Sequence, residues 1–175
     1  MNFDLTEEQQ LLADSLKRYL ANEYSIDTRA KIVDSSTGWS ETVWAAFAEM
    51  GLLGVPFAEE HGGFGGTAVD VMLVMEALGE GLVVEPYWVN VGLGGRLIAR
   101  GGSDAQQKRV LPELIQGKHR LAFAHTERSA RYDLAHVGTR AKRGGGGFTL
   151  NGEKRAVLHG GAADTLIVSA RTSGD

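Results

Sequence analysis

The sequence predicts an α+β protein, with an amino-terminal all-α domain over residues 1–118 followed by the start of a β domain over residues 119–175. Three observations predict it. Apolar residues recur every three to four positions as far as Gly117, and after Lys118 the period drops to two. Capping boxes and glycine stops punctuate the first stretch, whereas Asn151-Gly152 marks the second as hairpin-forming.

Thr6 and Gln9 form a capping box, so a helix is expected over residues 7–23, with Leu12, Leu16, Tyr19 and Leu20 in one apolar stripe. Ser40 caps a helix over residues 41–50, and Gly51 is placed to end it in the left-handed conformation. Pro56 and the run Gly62, Gly63, Phe64, Gly65, Gly66 make residues 54–66 a loop. Thr67 restarts a helix whose inner face reads as Val71, Met75 and Leu78, closed by Gly79 and Gly81. A fourth helix over residues 89–100 carries Gly92, Gly94 and Gly95. Each costs ~1 kcal/mol relative to alanine, which close packing would explain. Ser103, Asp104 and Gln106 open a fifth helix that reaches residue 116.

Leu121, Phe123 and His125 then alternate onto one face of a first strand. Residues 136–142 read as a second strand, 144–147 as a loop, and Phe148 with Leu150 as a third. Asn151-Gly152 is expected to turn the chain into a fourth strand over residues 154–158, and residues 166–170 make a fifth. A sheet this thin has open edges and little core, so more chain or another subunit is expected to cover it, and the sequence reads as truncated after Asp175.

Composition narrows the function classes. With 43% hydrophobic and 23% charged residues the chain reads as an ordinary globular protein. The absence of cysteine excludes disulfides and thiolate-ligated zinc, and favours a reducing, cytoplasmic home. No basic segment leads into an apolar run at the amino terminus. The apolar stretch over residues 71–78 contains Glu76 and falls well short of the ~20 residues that cross a membrane. Net charge is −4 with scattered basic residues, so neither nucleic acid nor membrane is an expected partner. The glycine run at 62–66 lacks a following Gly-Lys-Ser/Thr and is read as a packing loop, not a phosphate loop.

Particular segments say more. Leu5-Thr6-Glu7-Glu8-Gln9, Met50-Gly51-Leu52-Leu53-Gly54-Val55-Pro56, Glu59-Glu60-His61-Gly62-Gly63 with Gly65-Gly66, and Gln107-Lys108-Arg109-Val110-Leu111-Pro112 with Gln116-Gly117 resemble successive landmarks of the acyl-CoA dehydrogenase family. Thr126-Glu127, Leu150-Asn151-Gly152-Glu153-Lys154 and Ala163-Asp164 through Ala170-Arg171 continue the match across essentially the whole chain. Ala124-His125-Thr126-Glu127 with Arg131-Tyr132-Asp133-Leu134, and Val157-Leu158-His159-Gly160, are similar to the small subunits of pimeloyl-CoA dehydrogenase-like enzymes. The resemblance implies that the strands begin an antiparallel β-barrel or sandwich.

It also implies a reaction. In this family a glutamate removes the α-proton of an acyl-CoA thioester while the β-hydride passes to FAD, giving a trans-2-enoyl-CoA, and electrons leave to an electron-transfer flavoprotein. That glutamate belongs to a carboxy-terminal helical domain, so the base is expected beyond Asp175 and no acid here, Glu127 included, is assigned to it. Mapped by position, the cofactor-binding residues are Phe123, His125, Thr126, Ala156 and Leu158, and the substrate-binding residues Arg131 and Tyr132. Thr126 matches best, its hydroxyl and amide being able to bond the polar edge of the flavin ring. His125 stands where the family has a small apolar residue. The family's Pro-Gly-Ala-Gly-Ser-Asp loop reads Arg128-Ser129-Ala130-Arg131-Tyr132-Asp133, so either Arg128 or Arg131 supplies charge where glycine backbone is lost, or these arginines are simply solvated, and the residues favour neither reading. The family's Trp-x-Thr falls on Ala156-Val157-Leu158. Tyr87 and Trp88 precede the helix that borders the acyl chain, although an ordinary core role suits them better. The resemblance further implies association with a homologous subunit in a homo- or heterotetramer. The alternative is a non-catalytic structural subunit of a heteromeric enzyme.

Overall fold

The structure, a computed structural model, describes residues 4–174. Within those residues six α-helices and one π-helical segment precede four short strands. Helix α1 (Glu7–Glu23) starts at the expected capping box: the Thr6 hydroxyl accepts from the Gln9 amide at 3.2 Å, and the Gln9 side chain accepts from the Thr6 amide at 3.1 Å. Its buried stripe holds Leu16 and Leu20, with Leu12 and Tyr19 at the margin. Helix α2 (Ile26–Val33) adds an element that periodicity does not reveal. The Ser25 hydroxyl caps it, but its only buried residue is Ile32, too little to set up an apolar period.

Helix α3 (Glu41–Glu49) begins at Ser40 and gives way to Gly51, whose φ of 76° is the left-handed conformation expected there. The glycine run behaves as a packing loop. Phe64, Gly65 and Gly66 donate their amides back to Gly54, Phe57 and Val55, and a methyl at Gly66 would lie 2.6 Å from the Val55 carbonyl oxygen. Helix α4 (Ala68–Glu80) buries Leu73, Val74, Ala77 and Leu78, leaving Val71 and Met75 at the flanks. The expected inner face is thus rotated, because a helix apolar on most sides does not fix its own orientation.

The expected fourth helix is a π-helical segment, Trp88–Gly95, running directly into α5 (Arg96–Gly101). Close packing does account for its glycines. A methyl at Gly94 would stand 2.7 Å from the Leu121 Cβ, and one at Gly95 would stand 3.0 Å from Leu114. Helix α6 (Asp104–Ile115) carries the Ser103 and Gln106 capping box. The five expected helices therefore become six with a π-helical insert.

Strand β1 (Leu121–Ala124) pairs in parallel with β4 (Thr165–Val168), and β2 (Arg140–Gly144) pairs antiparallel with β3 (Gly147–Asn151). The loop expected at residues 144–147 is a tight turn at Gly145-Gly146, with φ of 58° and 84°, and no further hairpin forms at Asn151-Gly152 among the described residues. Both positive angles mark a primed hairpin turn. Gly152 serves a different purpose: a side chain there would meet Thr139 Oγ1 at 2.5 Å. Residues 154–158 form no strand, since Ala156 takes φ of 49° and Lys154 turns inward.

One apolar core joins the two parts. Trp44, Phe47, Leu52, Leu53, Leu111 and Leu114 fill it, and Leu121 extends it into β1. Asn90, fully buried in the π-helical segment, accepts the Leu121 amide through Oδ1 at 2.7 Å, while its Nδ2 has no partner among the described residues. Arg120 adds a second tie, stacking 4.7 Å from the Trp39 ring and bonding Asp164 at 3.1 Å. A buried acid lies deeper: Glu85 accepts from the Tyr24 hydroxyl at 2.8 Å and the Ser40 amide at 3.2 Å. Burial raises its carboxyl above the usual range.

Candidate functional site

Strand β1 delivers its last side chains to the rim of the β part. Phe123 and His125, two apart and therefore on one face, stack with centroids 5.1 Å apart at 16°. His125 Nδ1 lies 3.1 Å from Ser169 Oγ at the end of β4. Thr126 comes next and is exposed. Its carbonyl accepts the Arg155 amide at 2.8 Å, but its hydroxyl and its own amide engage nothing among the described residues.

Glu127 behaves oppositely. Its carboxylate accepts from Lys154 Nζ at 2.7 Å, from the Thr139 hydroxyl and amide at 2.7 and 2.8 Å, and from the Gly138 amide at 2.7 Å. The Lys154 ammonium first, and the Thr139 and Gly138 donors after it, hold this carboxyl far below the ordinary range. With three donors on Oε1, the Lys154 ammonium among them, and one on Oε2, the carboxylate is stabilised in its charged form and is correspondingly weak as a proton acceptor. Lys154 also donates to the His125 carbonyl at 3.1 Å and to Ser169 Oγ at 2.9 Å. The ion pair thereby gathers the end of β1, the approach to β2, residues 152–158 and the end of β4.

Of the residues assigned from sequence, Phe123, His125 and Thr126 share the β1 end, and residues 154–158 are held beside it by the Arg155 and Lys154 bonds. Ala156 is exposed. Leu158 is 63% exposed and reaches a largely apolar cleft of about 650 Å³, whose other walls include Met75, Val84, Tyr87 and Trp88. Tyr87 is a core residue, its hydroxyl donating to the Leu52 carbonyl at 3.2 Å, whereas Trp88 is half exposed. Arg131 and Tyr132 stand apart from these. Arg131 lines a separate cavity of about 650 Å³ with Arg128, Gly138 and Gly152, and Tyr132 is 99% exposed beside it.

Sequence reasoning missed Lys154, Thr139 and Ser169 as the frame of this region. Lys154 stood within a motif of the resemblance, but nothing in its neighbours announced that its ammonium would be buried.

Residues 6–118 match the family described as "Acyl-CoA dehydrogenase, N-terminal domain", and residues 122–175 match "Acyl-CoA dehydrogenase, middle domain". The chain belongs to the acyl-CoA dehydrogenase family. It is 33% identical over 174 residues to the probable acyl-CoA dehydrogenase YngJ of Bacillus subtilis (strain 168), covering 98% of this chain and 45% of that relative. This acyl-CoA dehydrogenase chain thus spans a little under half the length of the relative it matches. Two solved structures carry the fold likeness. The FAD complex of PigA superposes with a TM-score of 0.86 at 28% identity, covering 100% of this chain and 46% of that one. The ChsE4-ChsE5 complex from Mycobacterium tuberculosis gives 0.83 at 26% identity, covering 98% and 44%. No helix among the described residues of this acyl-CoA dehydrogenase chain is long and apolar enough to cross a membrane.

Proposed function

We propose that this chain provides the helical domain (residues 1–118) and the flavin-ring edge (within residues 119–175) of an FAD-dependent enzyme that converts an acyl-CoA thioester to a trans-2-enoyl-CoA. The observation that carries this reading is the contrast at the end of β1. Glu127 is engaged by four donors, while the neighbouring Thr126 is exposed, its hydroxyl and amide unengaged among the described residues.

The residues present fit a flat ring with a polar edge. Thr126 offers two donors, Leu158 an exposed apolar surface, and the stacked Phe123 and His125 a firm flank. Ala156 offers no aromatic wall, so the ring would rest on a smaller surface than the family pattern supplies. FAD, when bound, supplies acceptance of the hydride from Cβ. The chain's own part is to hold and to exclude: Thr126 donates to the ring edge, Leu158 keeps water from its face, and the cleft beside Trp88 receives the acyl chain. Tyr132 presents an aromatic face to an adenine, next to Arg131. No acid of this chain acts as the base. A homologous subunit completes the assembly, and an electron-transfer flavoprotein takes the electrons.

A second reading has an observation of its own. Ala156 and Leu158 replace the family's tryptophan and threonine, which suits a structural subunit that supports a partner's active site. Co-purification with a homologous subunit, with flavin quantified per chain and turnover followed by an artificial electron acceptor across a series of acyl-CoA lengths, tests both. Flavin bound in proportion to this chain and bleached by acyl-CoA supports the first reading. Flavin stoichiometric with the partner alone supports the second. Turnover by this chain alone with FAD overturns the assignment of the base elsewhere.

A further inference from the structure

The Lys154 ammonium has three hydrogens and meets three acceptors: Glu127 Oε1 at 2.7 Å, Ser169 Oγ at 2.9 Å and the His125 carbonyl at 3.1 Å. Its side chain is 7% exposed. The bond to Glu127 compensates the charge, and the bond to the carbonyl ties down the end of β1. The bond to Ser169 reaches a hydroxyl whose own proton still needs an acceptor.

Ser169 is placed by the backbone. Its amide donates to the Ala124 carbonyl at 3.3 Å, one residue past the pairing of Ala124 with Val168. Oγ thereby sits between two nitrogens, Lys154 Nζ and, at 3.1 Å, His125 Nδ1. Lysine can only donate, so the ammonium takes one lone pair of Oγ. The hydroxyl proton then has one acceptor among the described residues, His125 Nδ1. In the reverse arrangement, Nδ1–H donating to Oγ, two donors would converge on one oxygen and the hydroxyl proton would have no partner there. The ammonium also polarises the hydroxyl toward donating, which favours the first arrangement again. A neutral imidazole that accepts at Nδ1 carries its hydrogen on Nε2. His125 Nε2 makes no hydrogen bond among the described residues, and stacking on Phe123 holds the plane of the ring.

We propose that Lys154, acting through Ser169, fixes His125 as the Nε2–H tautomer and so makes it a hydrogen-bond donor for a carbonyl oxygen of a ligand seated at the end of β1. Lys154 and Ser169 are positioning residues in this arrangement, and His125 is the group that meets the ligand. The identity of that ligand, acyl-CoA or flavin, rests on the reading above; the tautomer does not.

Long-range nitrogen–proton NMR spectra of the purified protein, with labelled imidazoles and at alkaline pH, test the tautomer. His125→Phe assigns the resonances among the five histidines. His125 should show an unprotonated Nδ1 and a protonated Nε2. Ser169→Ala should move Nδ1 toward the mixture of tautomers found in free imidazole, and Ser169→Thr, which keeps a hydroxyl, should restore it. A protonated Nδ1 in the unmodified protein, or an Nδ1 resonance indifferent to Ser169→Ala, overturns the proposal. His125→Phe also keeps an aromatic ring against Phe123 while deleting the Nε2–H. In the assembled flavoprotein it should raise the KM for acyl-CoA about fivefold or more with flavin retained. Weaker flavin retention in place of that change assigns the acceptor carbonyl to the flavin. Neither change, in an assembly whose flavin is stoichiometric with this chain, overturns the donor role. Flavin held by the partner alone, with the His125 resonances as expected, removes the flavin reading and leaves the tautomer assignment standing.

Discussion

The Lys154 ammonium lies 2.7 Å from the Glu127 carboxylate with both side chains buried, at 7% and 6% exposure. The pair fixes the two neighbours of Thr126 and leaves Thr126 itself outward. Removing one member strands the other in a buried position, which is far worse than losing a surface ion pair.

Glu127→Gln should therefore destabilise the protein at neutral pH and flatten its response to acid. A carboxyl depressed by folding contributes stability above its unfolded value, near 4.5, and that contribution fades as pH falls through the depressed folded value. The gap between the unmodified protein and the variant should be widest at about pH 7 and shrink below about pH 4.5, as read by urea denaturation at several pH values.

Thr126→Val keeps the shape and strand preference and deletes one hydroxyl. Losing a hydrogen bond to the buried edge of a cofactor costs roughly 1–3 kcal/mol, about 5- to 150-fold in FAD affinity. The flavin absorption spectrum of the assembled enzyme should shift as well. His125→Ala, which removes the ring stacked on Phe123, should alter the spectrum much less.

Tyr24→Phe removes the donor that faces buried Glu85 and the acceptor of the Val84 amide at 3.1 Å. The loss should be about 1–3 kcal/mol. Glu85 has a folded pKa raised by burial, so its stability contribution is full below its unfolded value near 4.5 and is lost as pH rises through the folded value. The Tyr24 hydroxyl opposes that rise by bonding the charged form. Its removal should hence cost more at about pH 8 than at about pH 4, a difference that paired urea titrations can measure.

Gly94→Ala should place a methyl against Leu121 and push β1 away from the π-helical segment. Overpacking of this kind costs about 1–3 kcal/mol. Thermal melting reports the loss, and loss of amide-exchange protection at Leu121 would locate it, since that amide is held by Asn90.

How much of the fold and the site was legible depended on where the information lay. Caps are local, so Thr6, Ser40, Thr67 and Ser103 marked their helices correctly. Helix α2, with only Ile32 buried, had no period to read. The loop at residues 144–147 fell where expected, between β2 and β3, whereas the further hairpin expected at Asn151-Gly152 did not form among the described residues, although both dipeptides satisfy the same rule. Only the pairing of Arg140 with Asn151 separates them. Around the candidate site, β1 and the position of Thr126 just past its end were readable from a motif. The partners of Glu127 were not, since Thr139 and Lys154 lie 12 and 27 residues away and meet it only through tertiary folding.

The π-helical segment Trp88–Gly95 ties the direction of the cleft wall to the number of residues in it. A π-turn holds about one residue more than an α-turn, and the segment carries that extra residue in a helix that runs on unbroken into α5. Deleting one residue there would restore α geometry and swing the start of the segment by about 100° relative to α5. Asn90 and Trp88 would then face new directions, one leaving the Leu121 amide and the other leaving the cleft. Length in this segment is thus a coarse dial on the cleft wall, able to redirect a large aromatic side chain with no substitution at all.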